Sequence, residues 1–234
     1  MDTFLDLRTA LQSDLNASSV SSLYPEATLN LALNRAYRRA GGLFRWPETE
    51  DAKKTSTQNG INYYDYPSNW KPSSIWKLVI DDEDYGDPIA FRDFLYETEN
   101  DIPSGMDYLW SNQHRRFFIY PTPTSAGSCN ISVWGFKVVD ELEDDTDITI
   151  WSYSQPECND AVVLEAKAIL ERKGERSREG DMASLEAKQI LIAQWDRIRK
   201  DKAKYERTQP FFEVTDFFGQ GQPEQITGNF NRVY

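Results

Sequence analysis

Apolar positions along this chain follow a helical period at both ends and a shorter, strand-like period between them. Phe4, Leu7, Leu11 and Leu15 recur three or four residues apart, which predicts a helix near the start of the sequence. Pro25 stands where a first helical turn favours proline. Leu29, Leu33, Ala36 and Ala40 then share one face, so a second helix is expected from there to Gly41-Gly42. From about Gly60 the pattern changes. Residues 61–66, 75–80, 108–110, 116–120 and 130–138 are short runs rich in aromatic and β-branched side chains, bounded by Pro, Gly, Asn and Asp, and they read as strands. Asn112-Gln113-His114 reads as a hairpin loop between two of them, and residues 91–99 as a short helix. Helical period returns after Gln155-Pro156. One helix is predicted to reach Lys173 with Gly174 as its terminator, and a longer one to run from about Gly180 to Arg207.

This order of elements predicts an α+β fold. Residues 1–56 and 152–208 are expected to form a helical bundle, with an antiparallel β-rich subdomain, residues 57–151, inserted between its halves. The expected helical core is Leu29, Leu33, Ala36, Val162, Ala166, Ile169, Leu191, Trp195 and Ile198. Residues 209–234 fit neither period. Phe211, Phe212, Phe217, Phe218, Phe230 and Tyr234 share no helix face and do not alternate, and Gly219, Gly221, Pro223 and Gly228 interrupt any regular run. Such a segment cannot offset its own ordering entropy, so it reads as an extended arm that orders against another protein, with those aromatics as anchors.

Charge sharpens the picture. The net charge is −12, with nine acids against Arg92 alone in residues 80–101 and six acids without a base in residues 140–147. Both runs are expected to face solvent and to contribute little to folding. Residues 165–208 hold twelve Lys and Arg against nine Asp and Glu, and Arg197, Lys200, Lys204 and Arg207 form a possible face toward DNA or an acidic partner. The same row also suits the solvated end of a long helix, where base complements the helix dipole. An acidic surface with so little base elsewhere makes a poor DNA clamp and suits a protein that must not stick to DNA. The apolar runs are too short to span a membrane, and the acidic opening Met1-Asp-Thr-Phe-Leu-Asp is unlike a signal peptide, so a cytoplasmic chain is expected. Cys129 and Cys158, without metal-like spacing, are expected to be free thiols.

Catalytic constellations are scarce. His114 is the single histidine and lies beside Arg115 and Arg116, where a surface role outweighs that of a general base. Paired carboxylates such as Asp81-Asp82-Glu83-Asp84 could serve a glycosidase, but acids in turns are normally solvated. Neither run has the glycine placement or terminal Glu of a calcium loop. Trp46, Trp70, Trp76, Trp134 and Trp151 could stack on sugars, although core anchoring is the commoner use of indoles near element ends.

Several motifs, taken in order, resemble the phage head-to-tail adaptor (head completion) proteins related to the tail tubular protein A of short-tailed phages. They are the helix Ala27-Thr-Leu-Asn-Leu-Ala-Leu-Asn-Arg-Ala36 leading to Phe44-Arg-Trp46-Pro47, then Tyr63-Tyr-Asp-Tyr66-Pro67-Ser-Asn-Trp70-Lys-Pro72. Arg116-Phe-Phe-Ile-Tyr120-Pro121-Thr-Pro123, Ile131-Ser-Val-Trp-Gly-Phe136 and the returning helix at residues 157–170 complete the series. The resemblance implies a structural, non-enzymatic virion protein, assembled in the host cytoplasm and placed at the portal vertex as a ring, usually dodecameric. Its implied partners are copies of itself, the portal protein, a downstream tail or stopper protein, and double-stranded genomic DNA passing through the lumen without specific binding. No cofactor, metal or membrane is implied. Two other classes remain beside it: a tail or baseplate component that binds a receptor or saccharide through its sheet, and a cell-wall hydrolase. Cell-wall hydrolysis is associated with some members of the family, but no residue of this chain carries it over.

Overall fold

The computed structural model describes residues 2–15, 24–99 and 108–205. In chain order the elements are α1 (Phe4–Asp14), α2 (Glu26–Leu43), β1 (Glu50–Thr55), β2 (Tyr63–Asp65), β3 (Lys77–Ile80), β4 (Glu83–Asp84), α3 (Phe91–Glu99), β5 (Leu109–Gln113), β6 (Arg116–Tyr120), β7 (Ile131–Phe136), α4 (Glu157–Lys173) and α5 (Ser177–Tyr205). The fold is α+β, and all the strand pairs within its sheets are antiparallel.

Local chemistry explains where the helices begin and end. At α1 the Thr3 hydroxyl accepts the Asp6 amide while the Asp6 carboxylate accepts the Thr3 amide, a reciprocal cap that satisfies two donors at the helix start. Pro25 precedes α2, and its carbonyl accepts from the amides of Thr28 and Leu29. The expected stop at Gly41-Gly42 does not occur, and α2 continues to Leu43. Gly41 serves close packing instead: a Cβ there would lie 2.6 Å from the Val139 side chain. α4 does stop at Gly174, but the left-handed residue is Glu175, with φ of 64°. α5 begins at Ser177 rather than near Gly180, and Gly180 lies inside it, where a Cβ would come within 2.9 Å of the Ala168 carbonyl of α4.

Helix α4 packs along α2, and α1 lies against both. The shared core holds Leu29, Leu33, Ala36, Val162 and Ala166, as the period predicts, together with Leu191 from α5. Ile169, Trp195 and Ile198 are only half-buried. An aromatic cluster borders this core: Tyr37 and Trp46 meet Trp151 edge-on at 5.6 and 5.1 Å, and Trp195 stacks on Phe44 at 5.1 Å. The Trp46 indole also donates to the Ala40 carbonyl, so this ring system locks the end of α2.

The strands form two sheets, β1-β7-β3-β4 and β2-β6-β5. A core that includes Tyr64, Trp70, Leu78, Trp110, Phe117 and Ile131 draws on both. α3 covers the other face of the second sheet, where Phe91 meets Phe118 at 4.8 Å. Two strands escape the sequence pattern. β1 starts before Gly60 and is mostly exposed, so it lacks an apolar alternation; β4 has only two residues, both acidic. The hairpin loop between β5 and β6 is His114-Arg115, not Asn112 to His114. Asn112 belongs to β5 because its side chain accepts from the Tyr66 hydroxyl and donates to the Ile75 carbonyl. Helices and sheets through Trp195 make one compact unit, and the last turns of α5, from Asp196, belong to a second.

Candidate assembly surfaces

The turn after β2 fixes the sheets against the end of α2. The Lys71 ammonium donates to the carbonyls of Gly41, at 2.7 Å, and Phe44, at 3.1 Å, and so occupies the negative end of the α2 dipole. Burial, with the Arg45 charge adding to it, pushes the Lys71 pKa down to about 8. Arg45 donates to the Ser73 carbonyl of the same turn. Beyond β7, Lys137 and Val138 give their amides to the carbonyls of Thr49 and Asn69. Polar contacts on several segments therefore hold this junction.

The acidic run at residues 140–147 is stitched to the helices. Its carboxylates are mostly exposed, as expected, but Leu142 is buried and its backbone exchanges two hydrogen bonds with the Asn34 side chain of α2. Arg8 of α1 is buried and donates to Glu26 of α2 and to Asp145 of the run. The Asp147 carboxylate accepts the amides of Asp144 and Glu143, which hold its pKa below the usual carboxylate value. The expectation that this run contributes little to folding is thus corrected: a buried cation and a buried leucine make it a strap. The run at 81–84 is different, a hairpin tip in which Asp81 and Asp82 have φ of 51° and 68°.

Large apolar side chains lie on several outward faces. On α5, Met182, Leu185 and Ile192 are 66%, 55% and 39% exposed. Leu31 of α2 is 48% exposed, with Arg35 and Arg38 following it on the side away from Leu33 and Ala36. Sequence reasoning missed the α5 row because its inner row, Ala183, Ala187 and Leu191, also has helical period; only the spacing of the second row gave it away.

The residues singled out in the sequence fall as follows. Arg197 and Lys200 are exposed on α5 at helical spacing, Lys204 follows in the same helix, and Arg207 lies outside the described residues. The aromatic arm, Phe211, Phe212, Phe217, Phe218, Phe230 and Tyr234, also lies outside them. His114 is exposed at the tip of its turn, and its carbonyl accepts the Ser73 amide. Trp46, Trp70 and Trp151 are fully buried and cannot stack on a sugar; Trp134 is half-buried, with the Lys77 ammonium 5.7 Å from its ring centre. Cys158 is buried, which pushes its thiol up to about 12, whereas Cys129 is exposed; both are free.

A groove of about 460 Å³ beside β4 and β5 is lined by Asp84, Tyr85, Asp87 and Tyr108 among others. Partial burial raises the Asp84 pKa, but the Gly86 amide and Lys77 outweigh it and the net shift is downward. A general acid needs the opposite shift. Among the described residues no cluster of His, Cys, Asp or Glu could hold a metal ion, and no helix is long and apolar enough to cross a membrane.

Among the described residues the geometry offers interlocked elements and exposed apolar helix faces. Comparison with known families agrees with the resemblance drawn from the motifs. No curated protein sequence matches the chain. A family model described as SU10 adaptor protein matches residues 2–210, from α1 through both sheets and beyond α5. The chain belongs to that family, the phage head-to-tail adaptors, and is a structural adaptor protein of the virion's head–tail junction.

Proposed function

We propose that the chain closes into a ring beneath the portal of a filled capsid, extends the DNA channel and connects the head to the next tail or stopper component. The observation that carries this reading is the family match over residues 2–210, which takes in the helices and both sheets together. A ring subunit needs two complementary lateral faces and a third surface for the portal. The helices offer stiff lateral faces, and the acidic surface is suited to a lumen through which double-stranded DNA slides without being trapped. In this reading α1, α2, α4 and α5 form the helical body, and the two sheets, with β1 at residues 50–55 added from before the expected boundary, form the β-rich part that faces the tail. Residues 209–234 are the arm whose aromatics seat in clefts of the portal or of a neighbouring subunit. A dozen copies is the number the family resemblance implies. The role is mechanical and needs no catalysis.

Electron microscopy of capsids lacking this protein, mixed with it, tests the proposal. Added density at the portal vertex with the symmetry of a ring is the expected result, and density on the tail tip or none at the vertex would overturn it. Aromatic anchors in buried pockets commonly contribute about 2 kcal/mol or more each. Deleting residues 209–234 should accordingly leave circular dichroism unchanged while capsids lose DNA or fail to join tails. The alternative, a receptor or saccharide bound through the sheet, loses the indoles of Trp70 and Trp151 to burial but keeps the exposed rings of Tyr63 and Tyr108.

A further inference from the structure

The outward face of α5 has a spacing that a solvated helix surface does not require. Met182, Leu185, Gln189 and Ile192 recur at intervals of three, four and three residues, the alternation that places side chains along one helix–helix seam. All four are exposed, on the side opposite the buried Ala183, Ala187 and Leu191. Glu186 is exposed beside Leu185 and one turn beyond Met182. α5 is thus amphipathic twice over, once toward its own core and once toward solvent. Exposed apolar rows rimmed by charge mark contact sites.

A second outward face on the same compact unit matches it. On α2, Leu31, Arg35 and Arg38 recur at intervals of four and three, with Leu31 nearly half exposed and Arg35 exposed one turn along. The α5 face combines apolar side chains with Glu186, and with Arg178 one turn before Met182; the α2 face combines Leu31 with Arg35, and with Arg38, which is ion-paired with Glu141. A ring requires contact between two different faces, and Glu186 on the first has its counterpart in Arg35 on the second. The faces complement each other.

We infer that the α5 face of one copy seats against the α2 face of the next, with Met182 and Leu185 on Leu31 and Glu186 meeting Arg35. The occupant of each face is a second copy of this chain. A contact between two different faces of identical subunits is head-to-tail, and it closes into a ring when its rotation divides a full turn. The inference rests on the ring proposed above and names the surface that would build it.

Site-directed cross-linking of the full chain tests this contact. In capsids completed with a chain carrying Cys129→Ser, Leu31→Cys and Leu185→Cys, a short bismaleimide should convert most copies into a ladder extending beyond the dimer. Chains with only one of the introduced cysteines should remain uncross-linked. No ladder from a double variant that occupies the portal vertex overturns the contact and leaves the adaptor reading standing, and so do dimers from Leu185→Cys alone. Failure of the unaltered chain to occupy the vertex overturns the ring reading itself. A charge exchange gives an independent readout on exposed residues that folding does not need. Arg35→Glu and Glu186→Arg should each lower vertex occupancy about tenfold, since every 1.4 kcal/mol is a factor of ten, and the two together should restore it. A pair that fails to restore occupancy, while both single variants lower it and fold normally, overturns the contact.

Discussion

Residues 81–84 and 140–147 are both acidic runs and have quite different structural roles. The first run is the tip between β3 and β4, and its partners are mostly close in sequence: Lys77 pairs with Asp84, and the Gly86 amide donates to the same carboxylate. Its most distant bond comes from the Asn130 amide to Asp81. The second run instead reaches α1 and α2. Two features account for the difference, one inside the run and one far from it. Leu142 interrupts the acids with an apolar side chain that can be buried, and Arg8 sits among the buried positions Phe4, Leu7 and Leu11 of α1, where a cation needs carboxylates brought to it. An acidic run is solvated by default, and a buried cation elsewhere in the chain can recruit it into the fold.

The largest break in this contrast should come from Leu142→Ala. Truncating a buried leucine typically costs about 2–5 kcal/mol, and Leu142 is 5% exposed against α2. Urea unfolding should move to clearly lower denaturant, and an unchanged midpoint would mean that the strap is not part of the cooperative unit. Arg8→Met should cost about 2 kcal/mol, the scale of a hydrogen bond to a charged group. Its partners Glu26 and Asp145 are more than half exposed and regain water when the guanidinium is removed, which keeps the cost below that of a fully buried pair. The expected signature is weaker amide protection in both α1 and residues 140–147.

Acid probes the second run next. Asp147 has its pKa lowered by the amides of Asp144 and Glu143. A depressed carboxylate contributes stability that is present above its unfolded value of 3.8 and is lost as pH falls through the folded value. Asp147→Asn should therefore be less stable than the parent near neutral pH and converge with it in acid. A gap that persists unchanged to low pH would show that the charge of Asp147 is not what holds the turn.

The sequence disclosed the fold where one apolar face repeats, and hid it where a polar residue or a small one does the structural work. The core of α2 and α4, the strand β6 and the short helix α3 were legible from period alone. β1 was not, because an exposed strand of Glu, Asp, Lys and Thr is set by its pairing with β7 rather than by burial of its own side chains. The glycines misled in a consistent way. Gly41 and Gly180 read as helix boundaries, yet both lie within helices at points of close approach. Of the candidate surfaces, the basic end of α5 was visible as a charge row. The apolar seam on its outer face was hidden by the inner one, since both repeat at nearly the same period.

The smallest effect is expected at the other acidic run. Asp81 and Asp82 occupy the two central positions of the turn between paired Ile80 and Glu83, and both lie in the left-handed region of backbone space. Two-residue hairpins of this twist require positive φ at both positions and favour Asn, Asp and Gly, whose short side chains tolerate it. Replacing both with Asn removes two charges and leaves the backbone preference in place. Surface changes of this kind usually alter stability by no more than about 0.5 kcal/mol, so the melting temperature should barely move. Asp82→Val is the informative control, because it removes one charge and also forbids the backbone. If the double Asn variant lost as much stability as Asp82→Val, the charges themselves would be structural at this tip, and the distinction between a solvated run and a recruited one would fail.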